Sequence, residues 1–447
     1  MNQPAKTLLR LATAAVTVAA FLSISHHALA DREDDTVARH ARELIEAGRQ
    51  TFRYDTFGDE AYWGGTLKLH QAIEGAALGG VGAGVSPAVA LAVGLKVDAD
   101  ALPSSLVEDV SHGRVDLNSP ATTLALLKLN AVVGVTGFFA GNGSLQSLGI
   151  QCALCHSTVD NSFQGPGIPA GNIGHRLDGW PNRDLNVGAI VNLSPDLSVP
   201  AKLLGTDQAT VRKVLLAWGA GKFDASVFLD GKGFRPDGRS AATLIPPAYG
   251  LAGFNLHTWT GWGSVPYWNA FVANLEMHGK GRFSDARLKD PVRFPVAAAN
   301  GFADVPAAPE DDRITPKLAA LQVYQLSTAA PQPPFFPFNF AARRGEAVFN
   351  GKAHCARCHV PPLYTEPGWN AHAPADVCID AFQANRAPDG VYRTAPLAGL
   401  FSRLKGGFYH DGRFATLPDV VNHYDGCMNL GLSSDEKSGL VQYLLTR

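Results

Sequence analysis

The chain has 447 residues, and its 38 Lys and Arg nearly match its 40 Asp and Glu, a balance that argues against a nucleic-acid partner. Its 46% hydrophobic content is ordinary for a globular protein long enough to hold two cored domains. Gly (46) and Pro (29) are plentiful, which favours loops wrapped around buried groups.

Residues 1–30 read as an export signal. Lys6 and Arg10 give a basic start, Leu11 to Ile24 an apolar core, and Ala28-Leu29-Ala30 a small-residue cleavage site before Asp31. The apolar run is short and holds several Ala and Thr, so cleavage is expected rather than anchoring, with a periplasmic product and no membrane span left. Losing Lys6 and Arg10, and no acidic residue, takes the formal charge from −2 to −4.

Residues 31–150 read as a mostly helical extension. Asp35 caps a run with helical apolar spacing, Thr56 to Trp63 is an aromatic turn, and a further helical run reaches His70. Ala76 to Val97, broken by Pro87, reads as a buried helix with its lead-in.

Cys152-Ala-Leu-Cys155-His156 opens a segment taken as 151–328, and Cys355-Ala-Arg-Cys358-His359 opens the last, 341–447. Cys-x-x-Cys-His is the attachment pattern of a c-type haem: two thiols form thioethers to one porphyrin and the next residue sets an imidazole under the iron. Two copies behind an export signal imply two covalently bound haems c, with His156 and His359 as proximal ligands. Between the motifs, Asp207 to Trp218 and Trp268 to His278 read as helices. Residues 329–340 are a Pro-rich connector that suits a domain boundary. Ala341 to Asn350 and Ser434 to Leu445 read as the first and last helices of the closing domain. Cys378 and Cys427 remain over, in a protein bound for an oxidising compartment, and are expected to pair.

A weak internal repeat links the halves. Arg235-Pro-Asp-Gly-Arg, Thr243, Pro247 and Trp259-Thr-Gly261 run parallel to Ala387-Pro-Asp-Gly390, Thr394, Pro396 and His410-Asp-Gly412.

Tyr392-Arg-Thr-Ala-Pro-Leu-Ala-Gly-Leu-Phe, Gly406-Gly-Phe-Tyr-His-Asp-Gly-Arg-Phe-Ala-Thr-Leu417 and Val420-Val-Asn-His-Tyr-Asp425 closely resemble the C-terminal domain of bacterial di-haem cytochrome c peroxidases and of the related MauG. The resemblance implies a mostly α fold of two cytochrome c-like haem domains, here with loop-rich insertions. It also implies an axial ligand at Tyr424, where peroxidases carry Met and MauG carries Tyr, with Met428 and His423 as nearby rivals. His175, in Asn172-Ile-Gly-His175, takes the place of a distal ligand to the first haem. Trp259, with Trp262 behind it, takes the place of a tryptophan that conducts between haems. Glu276, in Asn274-Leu-Glu276-Met277-His278, stands near the family's acid–base glutamate, three residues short of its spacing, and is the only Glu between His156 and Glu310. A carboxyl with a moderately raised pKa can move the proton that O–O heterolysis requires. Met277 and His278 are alternative distal ligands.

The expected activity is therefore reduction of hydrogen peroxide at the first haem. Electrons would come through the second from a small redox protein, a cytochrome or cupredoxin, with calcium between the domains as a further family feature. Two rivals remain: a di-haem oxygenase acting on an organic substrate, like the secreted rubber-cleaving cytochromes, and a plain electron carrier. The N-terminal extension and the insertion before Pro247 have no counterpart in the resemblance.

Overall fold

In a computed structural model the described residues are 33–333 and 337–447; the export signal, its cleavage site and part of the Pro-rich connector lie outside them. The described residues are 44% helix and 9% strand. No described helix is long and apolar enough to cross a membrane.

Helix covers 33–54, as the apolar spacing predicts. The rest of the extension is helical as expected at Ala61–Thr66, Leu69–Glu74, Ser104–Ser111 and Pro120–Lys128, and departs from expectation in two places. Ala76–Leu78 is a single 3-10 turn and Pro87–Ala92 one short helix, capped by Ser86 accepting from the Val89 N–H. Val135–Phe139 and Leu145–Ile150 form an antiparallel hairpin in place of helix. Gly141-Asn142-Gly143 is a turn signal, and Val and Phe favour a pleated surface, so side-chain packing outweighed the helical reading. The remaining described strands form four further two-stranded pairs, none joined into a larger sheet.

The extension is not a separate body. Trp63, Leu69, Leu127, Val135 and Leu148 share one buried cluster with Leu154, Leu215, Trp218 and Ile245. Gln208–Trp218 is helical as predicted, with the Asp207 carboxylate accepting from the Thr210 N–H at its start. A second cluster draws on the C-terminal part, with Phe349, Leu400, Leu417, Val421, Leu440 and Tyr443. There the helices Phe340–Asn350 and Ser434–Leu445 cross at Gly345 and Gly439. A Cβ on Gly345 would lie 1.9 Å from the Gly439 carbonyl oxygen, so only glycine allows that approach.

The repeat is visible in the backbone. His257 bridges Gly263, and Phe408 bridges Phe414, each closing a loop of the same length. Thr258 (φ 64°) matches Tyr409 (φ 66°), and Gly261 (φ 65°) matches Gly412 (φ 74°). Trp259 therefore occupies in the first half the place that His410 occupies in the second.

Arg386 ties the halves together. It is 1% exposed and pairs with Asp230 at 2.7 and 3.0 Å and Asp224 at 3.2 Å, and it donates to the Ala241 and Lys232 carbonyls. Removing one partner of a buried pair strands the other. Arg386→Met should cost about 3–5 kcal/mol of stability, read as a lowered midpoint in scanning calorimetry; an unchanged midpoint would show that the two carboxylates are satisfied without it.

Candidate functional site

The two Cys-x-x-Cys-His motifs open into two separate cavities. Cys152, Cys155 and His156 line one of about 350 Å³, and Cys355, Cys358 and His359 line one of about 220 Å³. Both are walled mainly by aliphatic and aromatic side chains, which suits a flat apolar macrocycle.

The first motif leaves the hairpin strand Leu145–Ile150 and turns through the short helix Ala153–His156. His156 donates from Nδ1 to the Pro246 carbonyl at 3.1 Å, and His359 donates from Nδ1 to that of Tyr364 at 3.2 Å. Such a bond fixes the ring and reserves Nε2 as the free lone pair, the arrangement of a metal-ligating histidine. Burial pulls both imidazoles down to about 4, so each is neutral and able to ligate near pH 7. Burial pushes the Cys152 and Cys155 thiols up to about 12 and Cys355 to about 11. A redox dithiol needs the opposite, a depressed thiol that supplies thiolate. Paired thiols, an oriented imidazole and apolar walls therefore fit a covalently held haem in each cavity and do not fit a redox dithiol.

Glu276 lies in the first cavity with His156. It ends the π-helical turn Val272–Glu276, which continues the helix Val265–Phe271; turns of this kind recur at functional sites. Its Oε2 is buried without a hydrogen-bond partner, and neither Lys280 nor Arg282 pairs with it. Burial, with the Asp224 charge adding to it, raises the carboxyl well above its ordinary value. The extension braces this turn from behind: Trp63 Nε1 donates to the Met277 carbonyl at 2.9 Å, and the Lys280 N–H donates to the Phe57 carbonyl. His278 stacks on Tyr62 at 3.6 Å and is not among the cavity-lining residues, while Met277 packs with Phe52 and Phe57 in a core cluster that borders the cavity.

Trp259 borders both cavities, its Nε1 donating to the Leu244 carbonyl at 2.8 Å. Arg393 and Pro396 border both as well, and the Arg393 N–H donates to the Trp259 carbonyl at 3.0 Å.

In the second cavity Tyr424 faces the attachment motif from the helix Leu417–Met428. Burial raises its phenol, the Tyr409 hydroxyl acts in the other direction, and the Cys355 and Cys358 sulfurs lie close enough to raise it further. Met428 also borders the cavity but is 43% exposed, and His423 is spent on the Val377 carbonyl at 2.9 Å. The expected disulfide is present: Cys378 and Cys427 join with Cα atoms 5.9 Å apart, pinning the Tyr424 helix to the 374–378 loop.

His175 is a correction. It lies at the surface, its side chain 60% exposed, with Nδ1 bonded to Asp100 at 2.8 Å, and it borders neither cavity. An Ile-Gly-His context alone does not fix where the strand pair Ser157–Val159 and Arg176–Asp178 carries the following loop, and here Asp100 captures the ring. Among the described residues the one group with metal-ligand spacing is Cys358, Glu366 and His372. A thiol and an imidazole with one carboxylate are poor calcium ligands, so this group lends the calcium expectation no support.

No protein-family model matches the chain. Over 124 residues it is 29% identical to the methylamine utilization protein MauG of Methylorubrum extorquens AM1, covering 24% of this chain and 33% of MauG. The chain is related to the MauG and di-haem peroxidase superfamily. It spans about a third of the length of that curated relative. Two solved structures share parts of its course. A MauG-like protein associated with microbial copper homeostasis is 17% identical with a TM-score of 0.31, over 49% of this chain and 76% of that one. The diheme peroxidase BthA of Burkholderia thailandensis is 19% identical with a TM-score of 0.31, over 52% of this chain and 78% of that one. At such TM-scores neither likeness adds to the assignment.

Sequence reasoning passed over Arg183, Arg393 and Arg403, three arginines on the second cavity, and His410, which is 2% exposed with Nε2 unpartnered. Arg393 stands inside the superfamily-like run after Tyr392, the one signal that pointed to it.

Glu276 keeps its proton in the folded chain at pH values where the unfolded chain has lost it. The native state then binds more protons than the unfolded one, so its stability falls as pH rises from the ordinary carboxyl value towards the raised one. Glu276→Gln removes that slope. Thermal midpoints measured from pH 5 to 8 should fall more steeply for wild type than for the variant; parallel curves would mean that Glu276 ionises normally.

Proposed function

We propose that this chain is an exported, periplasmic di-haem c-type cytochrome with peroxidase-type activity, organised as two haem modules behind an N-terminal extension. The observation that carries the reading is Glu276. An unpartnered, buried carboxyl opens into the same cavity as Cys152, Cys155 and His156, and Trp259 forms the wall between that cavity and the second.

A haem bound in the first cavity supplies the redox chemistry that peroxide reduction needs. Cys152 and Cys155 hold the macrocycle, and the Pro246 carbonyl aims the His156 ring. Burial raises the Glu276 carboxyl well above its ordinary value, so it holds a transferable proton to higher pH than a free carboxyl does, and its Oε2 has no hydrogen-bond partner to compete for it. Trp63, Leu69, Val97 and Ile150 surround the site with apolar surface and limit water. Reduction of hydrogen peroxide consumes two electrons and two protons and yields two waters. The electrons come from a small cytochrome or cupredoxin, arrive on the side of His359 and Tyr424, and pass the shared wall at Trp259.

A second reading, oxygenation of an organic substrate, draws on the make-up of the first cavity. The extension contributes much of its aliphatic lining, and Val89 (47% exposed) and Leu193 (41% exposed) bring that lining to the surface. Dioxygen uptake that depends on an added apolar alkene would favour this reading over peroxide reduction.

Denatured protein should keep its colour in a haem-stained gel, and changing Cys355 and Cys358 to Ala should leave one haem per chain. Retention of two haems in that variant would contradict the attachment assignment. The activity is tested by stopped-flow mixing of half-reduced protein with peroxide. Wild type should react quickly, and Glu276→Gln should react about 10²–10⁴-fold more slowly with both haems in place. A wild type as inert as a closed six-coordinate cytochrome would overturn the peroxidase reading.

A further inference from the structure

Three arginines border the second cavity without a carboxylate, Arg183 and Arg403 buried and Arg393 half-buried with its Nη1 enclosed. Arg183, Arg393 and Arg403 form no ion pair among the described residues, and Arg183 Nε and Nη1, Arg393 Nη1 and Arg403 Nε have no hydrogen-bond partner at all. Their remaining hydrogen bonds are to neutral oxygens: Arg393 Nε donates to the Thr258 carbonyl at 3.0 Å, and Arg403 donates to those of Pro396 and Ala398. The Arg393 guanidinium also lies over the Phe254 ring, 5.1 Å from its centroid, a contact that supplies no anion. Arg386, more deeply buried still, shows what the fold does with a guanidinium it satisfies internally, setting it between Asp224 and Asp230. A guanidinium does not shed its proton near neutral pH, so a buried one requires an anion. Burial and the Arg403 charge depress Arg393 to about 9 and Arg183 to about 10, the mark of positive groups held together without compensation.

The missing partner has a defined shape. It must bring carboxylates or similar oxyanions to the rim of an otherwise apolar cavity, and for Arg393 it must do so on two sides, because Arg393 borders both cavities. Haem meets this description, with an apolar ring and two propionates. We propose that Arg183, Arg393 and Arg403 are a propionate-binding cluster, and that Arg393 contacts propionates of both haems and so couples them electrostatically. This rests on the di-haem reading. Because the Arg393 N–H also holds the Trp259 carbonyl, the same residue fixes the wall and sets the charge on either side of it.

The test is spectroelectrochemical titration of the two-haem protein. Removing a positive charge beside a propionate favours the ferric state, so Arg393→Gln should shift the reduction equilibrium of both haems towards ferric. A shift of roughly tenfold at each is about 59 mV for one electron. Arg403→Gln should move the second haem alone. If Arg393→Gln fails to retain haem, Arg393→Lys decides: it keeps the charge but loses the planar fork, and the propionate-bending bands in resonance Raman spectra should move at both haems. Unmoved potentials in Arg393→Gln with both haems bound, or Raman bands moved at one haem or none, would overturn the proposal. Potentials that track added phosphate would place a solvent anion at the cluster and overturn it as well. Absence of covalent haem from wild type would instead be a failure of the di-haem reading itself.

Discussion

The structure turns on one wall. The Arg393 N–H reaches the Trp259 carbonyl, and around that bond Trp259, Arg393 and Pro396, drawn from both halves, border two apolar cavities at once. The internal repeat explains how it arises. Two loops of equal length and matching backbone, 257–263 and 408–414, place Trp259 and His410 at equivalent points. One copy of the loop presents a ring shared by both cavities, and the other presents a buried histidine to the second cavity alone.

The two cavities differ in what else reaches them. The second is lined by its own module apart from Arg183 and Trp259: Tyr424 stands on a helix that a disulfide anchors, over a core from the same stretch of chain. The first is completed from outside its motif. The extension supplies aliphatic wall and holds the Glu276 turn through Trp63 and Phe57. A carboxyl buried without a partner is a cost to folding, and the packed aromatic residues behind it are what keep it in place. That division suits a chain with one reactive centre and one centre that relays charge.

What the sequence made legible was chemistry fixed by local spacing. Each Cys-x-x-Cys-His run lines an apolar cavity of its own, Cys378 and Cys427, left over by those motifs, are joined, and the terminal helices Phe340–Asn350 and Ser434–Leu445 carried helical spacing. Glu276 and Trp259 were found through resemblance, and the structure brings both to the first cavity. What stayed hidden depended on tertiary placement. The 135–150 hairpin was overlooked because the surrounding apolar pattern fits either period, and His175 went to Asp100 because a three-residue context does not encode loop direction. The arginine cluster was invisible for a related reason: Arg183 is far in sequence from Arg393 and Arg403, and only enclosure without carboxylates marks the three.

If the first cavity serves a reactive haem and the second a closed one, the two irons must differ in ligation. His175 and His278 lie outside the first cavity, Met277 borders it from within a packed core, and Tyr424 lines the second together with Cys355, Cys358 and His359. Electron paramagnetic resonance of the resting ferric protein and of its Tyr424→Phe variant tests this most directly. One high-spin and one low-spin signal are expected, with only the low-spin signal altered by the substitution. Two low-spin signals, both indifferent to Tyr424→Phe, would contradict it.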